Sequence, residues 1–71
     1  MIIGWIITKN HASGYTEFVE YRDDNIGCQV YKFFDKPSMA TIFRIKPDSL
    51  FDLICKECND DIEMVPVECY F

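Results

Sequence analysis

Hydrophobic and polar positions along this chain follow mostly strand-like spacing, and one stretch near the C-terminal third carries a helical apolar stripe. Residues 2–8 (Ile-Ile-Gly-Trp-Ile-Ile-Thr) are apolar at odd and even positions alike, the pattern of a central strand covered on both sides. The polar segment 9–14 (Lys-Asn-His-Ala-Ser-Gly) predicts a turn. Residues 15–22 alternate again, with Tyr15, Glu17, Val19 and Tyr21 on one face and Thr16, Phe18, Glu20 and Arg22 on the other. Asp23-Asp24-Asn25-Ile26-Gly27 predicts a hairpin turn, because Asn and Gly tolerate the positive φ that tight hairpins need. Residues 28–34 then return as a third strand. After the break at Asp35-Lys36-Pro37-Ser38, Met39, Thr41, Phe43 and Ile45 alternate. Met39, Ile42, Phe43 and Lys46 also fit helical spacing, but the β-branched content favours a fourth strand over 39–45.

Pro47-Asp48-Ser49 opens the one helix, about residues 48–59. Proline suits a first turn, and Ser49 with Asp52 fits a capping box. Leu50, Phe51, Ile54, Cys55 and Cys58 fall on one apolar stripe at i, i+3, i+4 spacing. Residues 62–70 form a last strand interrupted by Pro66, whose missing N–H predicts an edge position or a bulge.

These elements predict a single α+β domain over residues 1–71: an antiparallel sheet of four to five strands, order 4-3-2-1-5, with the helix on one face. One short helix covers one face of a small sheet. Yet apolar side chains point both ways: Ile3, Trp5, Ile7, Phe18, Tyr31 and Phe33 oppose Ile2, Ile6, Val19, Tyr21, Val30 and Phe34. Some of this surface is expected to lie under little protein, and exposed apolar patches of that kind mark interaction sites.

Composition narrows the class. With 71 residues, 49% hydrophobic and 15% aromatic, the chain is rich enough to fold but builds only a small core. Seven Lys and Arg stand against twelve Asp and Glu, for a net charge of −5. That balance argues against direct contact with nucleic acid or an anionic membrane. The apolar run 2–7 is too short for a signal peptide or a span, so the expectation is a cytoplasmic protein with reduced thiols.

The four cysteines, Cys28, Cys55, Cys58 and Cys69, are the residues with most chemical potential. Together they have the ligand count of a structural zinc site, but only one C-x-x-C pair exists, and it lies inside the apolar stripe. Redox work is disfavoured, since Glu57, Asp60, Asp61 and the negative end of the helix dipole all raise a thiol pKa there. The plain expectation is that these cysteines are small hydrophobes. His11 and Ser13 share one polar turn without a third orienting group, and Asp23-x-Asn25-x-Gly27 lacks the downstream ligands of a calcium loop. No catalytic residue and no cofactor is therefore expected.

The resulting expectation is a non-enzymatic protein-binding module. It is a small acidic inhibitor that masks a partner, with a basic, nucleic-acid-handling protein among the partners considered. A virus or mobile element would use such a factor against host defence or for host takeover, in the host cytoplasm. Trp5, Phe18, Tyr21, Tyr31 and Phe33 are the expected aromatic anchors, with Asp23 and Asp24 as carboxylates facing a basic groove. Homodimerisation through a sheet face or edge is a second mode. The alternative is a structural zinc module on Cys28, Cys55, Cys58 and Cys69.

Overall fold

The computed structural model describes residues 1–23 and 29–68. Four strands, β1 (Ile2–Asn10), β2 (Thr16–Asp23), β3 (Gln29–Phe34) and β4 (Asp61–Glu68), form one antiparallel sheet in the order β3-β2-β1-β4. The helix α1 (Asp48–Glu57) packs on one face, giving an α+β domain.

The first turn sets the phase of the whole sheet. Lys9 and Asn10 belong to β1, opposite Glu17 and Thr16, so the connection spans only residues 11–15. Within it the His11 N–H donates to the Tyr15 carbonyl at 2.9 Å and the Gly14 N–H to the His11 carbonyl at 2.9 Å. Gly14 sits at φ 94°, a conformation open to glycine. This register sets Phe18 opposite Thr8 and, through the β2–β3 pairs Val19↔Phe33 and Tyr21↔Tyr31, turns Val19 and Tyr21 to the helix side. Phe18 and Val19 thus exchange the faces expected from the alternation of each strand alone. A single residue of turn length decides the phase.

Ile7, Val19, Leu50 and Ile54 make the buried core, and Tyr21, Tyr31, Phe33, Phe43, Phe51, Cys58 and Ile62 pack around it. On α1, Leu50 and Ile54 at i, i+4 carry the stripe. Cys55 is exposed and does not belong to it. The helix stops at Glu57, and Cys58 caps it in extended conformation (φ −117°, ψ 137°), its N–H bonded to the Ile54 carbonyl. The expected capping box is not formed. Pro47 holds the N-cap position without a side-chain cap bond, and Ser49 already lies inside the first turn.

The expected fourth strand is corrected most sharply. Residues 37–39 make a single 3₁₀ turn, and 40–44 then enter the sheet between β1 and β2 instead of lining the outer edge of β3. β1 and β2 pair only over Thr8–Asn10 and Thr16–Phe18, and beyond that point they part. Thr41 fills the gap on the β2 side, donating its N–H to the Val19 carbonyl at 3.0 Å and accepting the Tyr21 N–H on its Oγ1 at 2.9 Å. Phe43 fills it on the β1 side, exchanging two 2.8 Å backbone bonds with Trp5. A strand lying at the edge of β3 would gain one ladder. The inserted segment satisfies both strands at once and lets Phe43 reach the core.

Pro66 lies on the edge strand β4, opposite Trp5. Because the Trp5 N–H and carbonyl point the other way, to Phe43, this is a non-hydrogen-bonded pair. The proline nitrogen therefore faces outward and forfeits no ladder bond. A bulge between Ile2 and Gly4 follows on β1.

Candidate functional site

Insertion of segment 40–44 creates a concavity on the described surface. Met1, Ile2 and Ile3 form one wall and Ile42 and Arg44 the other, around a cleft of about 600 Å³. Phe43 points to the helix side, so its neighbour Ile42 points to the opposite face, which α1 leaves open. The lining is more exposed than aliphatic side chains usually are: Met1 is 89% exposed, Ile42 53%, and Ile2 and Ile3 about half. Ile45, next along the chain from Arg44, is 85% exposed. Arg44 is exposed and forms no ion pair with the described residues. The arrangement offers aliphatic contact area with the Arg44 guanidinium at its rim. It holds no acid–base pair.

The aromatic residues expected as anchors are placed differently from one another. Tyr21, Tyr31 and Phe33 are half-buried against the core cluster, with Tyr31 and Phe33 edge to face at 5.7 Å. Trp5 is half-buried with the Lys46 ammonium 5.4 Å from its ring centre. Phe18 is half-buried on the face away from the helix, opposite Thr8 and Phe34. The Asp23 backbone pairs with Gln29, and Asp24 lies outside the described residues. No signal in the alternation separates these aromatics from the cleft residues. The cleft arises from where segment 40–44 lands, which is a long-range event.

His11 is drawn into a local cluster, with its Nε2 2.6 Å from Glu17 Oε1 and its ring stacked on Tyr15 at 4.3 Å and 6°. Desolvation, then the Glu17 carboxylate, push the Tyr15 hydroxyl above its ordinary pKa. Ser13 is exposed, and no hydrogen bond joins it to His11. His11 thus braces the turn, while Ser13 stays solvated at its tip.

At the other end of the core, the Tyr31 hydroxyl donates to Glu57 Oε2 at 2.5 Å and ties β3 to the last turn of α1. That bond, with desolvation and the Glu57 charge, pushes the phenol from 10.0 up to about 12. A folded-state pKa above the unfolded one means the stabilisation is whole below about pH 10 and is lost as pH rises through 12. Tyr31→Phe is expected to cost about 0.5–1 kcal/mol at neutral pH. It should also remove this alkaline step, read from urea midpoints between about pH 9 and 12.

Cys55 faces solvent while Cys58 packs against the core in extended backbone, so the two do not share one helical face as a metal-binding pair would. Cys28 and Cys69 lie outside the described residues. Among the described residues no group of three or more His, Cys, Asp or Glu converges. Among them, too, no helix is long and apolar enough to cross a membrane.

Fold and surface together define a small α+β protein with a split sheet and an aliphatic cleft on its open face. Comparison with protein-family models, curated proteins and solved structures finds no match.

Proposed function

We propose that this protein is a non-enzymatic binding module, a small acidic inhibitor that acts by masking a partner protein. The observation that supports this reading is the aliphatic cleft. Among the described residues, a core of four buried hydrophobic residues coexists with Met1, Ile2, Ile3 and Ile42 left open around one concavity. Apolar surface concentrated in this way serves contact better than stability. The net charge of −5 steers the chain towards a basic partner and speeds encounter, and the cleft residues then hold the complex. A basic, nucleic-acid-handling enzyme is the partner class best matched to that charge. The corresponding biological setting is a viral or mobile-element factor acting on its host in the cytoplasm.

The discriminating substitutions belong at the cleft, since Tyr21 also packs against the core and Trp5 sits at the bridge to Phe43. Affinity for a partner captured from host cells is expected to fall at least tenfold in Ile2→Asp and Ile42→Asp, at a cost of about 1.4 kcal/mol or more. The thermal melt should stay close to wild type. Association should also slow as salt rises from about 0.05 to 0.5 M. Affinity indifferent to both substitutions and to salt would sink the reading. Self-association is the competing mode, and light scattering of the free protein separates the two.

A further inference from the structure

Segment 40–44 supplies one wall of the cleft and the start of β1 the other, so displacement of the segment dismantles the cleft. We propose that segment 40–44 is an exchangeable strand, seated in a slot that β1 and β2 can close by pairing with each other. Its seating would then regulate partner binding, a step that rests on the cleft being the contact surface.

The register carries the argument. The β1–β2 pairs Asn10↔Thr16, Lys9↔Glu17 and Thr8↔Phe18, continued by the same count, set Ile7 opposite Val19 and Trp5 opposite Tyr21. The groups that segment 40–44 engages are those this continuation would use: both backbone groups of Trp5, the Val19 carbonyl and the Tyr21 N–H. All four point into the gap, and positions 5, 7 and 9 share the hydrogen-bonding side of β1 in an antiparallel ladder. The sheet can therefore satisfy the same donors and acceptors in two ways, seated or closed. Two packings that satisfy the same strand groups, one of them through the Thr41 hydroxyl, are what a two-state element requires.

Gly4 distinguishes the two forms. A Cβ there would lie 2.5 Å from Ile42 Cγ2 and 2.8 Å from the Phe43 carbonyl oxygen, so the seated form needs glycine. In the closed form Gly4 would face Arg22, where a Cβ is ordinary. Phe43 holds the seated form in place, packed on the core and 5.9 Å from the Tyr21 ring centre. A partner gripping Ile42 and Arg44 binds that form alone, so any closed population lowers its apparent affinity.

Amide hydrogen exchange on Gly4→Ala and on Phe43→Ala tests this, the second variant releasing the segment without altering either strand. In both, the Thr41 and Phe43 amides are expected to lose protection about tenfold or more, while the Trp5 and Tyr21 amides keep theirs. A nuclear Overhauser contact between the α protons of Ile6 and Glu20, a non-hydrogen-bonded pair of the closed sheet, should appear. If Trp5 and Tyr21 lose protection together with Phe43, the segment merely frays and the proposal fails. Protection of all four amides in both variants overturns it as well. Partner binding has a separate readout: affinity lost in Ile42→Asp but retained in Phe43→Ala keeps the cleft and removes the regulation.

Discussion

Ile54→Ala is expected to leave the domain largely unfolded at 37 °C. Ile54 is 0% exposed and sits in a core whose other buried members are Ile7, Val19 and Leu50. Removing three carbons from such a site costs about 2–5 kcal/mol, through lost transfer energy and the cavity left behind. A single core of this size supplies roughly 3–5 kcal/mol in total. The gain in helix propensity from alanine is only a few tenths of a kcal/mol and does not change the outcome. Leu53, one residue away and 38% exposed, is the internal control, because its truncation leaves no enclosed cavity. Far-UV circular dichroism and urea titration read both variants. A wild-type midpoint for Ile54→Ala would mean that α1 does not lie on the sheet as described.

Gly4→Ala is expected to destabilise by about 1–3 kcal/mol, and for a reason unlike the one at Gly14, the other described glycine. At Gly4 the obstacle is packing. Ile42 Cγ2, at 2.5 Å, is the end of a side chain and can move, but the Phe43 carbonyl oxygen at 2.8 Å is held by the Trp5 N–H. Making room means breaking that bond and lifting Phe43 from the core. At Gly14 a Cβ meets nothing within 4 Å, and the cost comes from φ alone, about 1 kcal/mol. Urea midpoints should therefore rank wild type above Gly14→Ala and Gly14→Ala above Gly4→Ala. A Gly4→Ala protein as stable as wild type would show that the segment yields freely. The ranking also bears on mechanism, since only the Gly4 substitution is expected to remove the cleft along with the stability.

Much of this architecture is legible in the chain. The continuous apolar run of β1, the alternation over β2, the helix opened by Pro47 and the edge place of Pro66 all follow from local chemistry, where neighbours in sequence are neighbours in space. The stripe Leu50–Ile54 likewise identifies the buried face of α1, although Cys55 falls just off it. Alternation says which residues of one strand share a face, and it is silent on how two strands are phased. That phase hangs on turn length, which is why Val19 and Phe18 exchanged faces once Lys9 and Asn10 joined β1.

The candidate site was the least legible part. Segment 40–44 carries strand-like residues and does form a strand-like bridge, yet nothing local says that it enters between β1 and β2. That choice is made by hydrogen-bonding groups some twenty to forty residues away and by the space a missing Cβ leaves at Gly4. By itself, the sequence determined that the chain forms one acidic α+β domain with more apolar surface than its helix can cover. Only the tertiary structure decided where that surface gathers. It gathers at Met1, Ile2, Ile3 and Ile42 and not at Tyr21, Tyr31 and Phe33, because those rings, on the helix side of a small sheet, are recruited to the core. The aliphatic residues at the split end are left outside it.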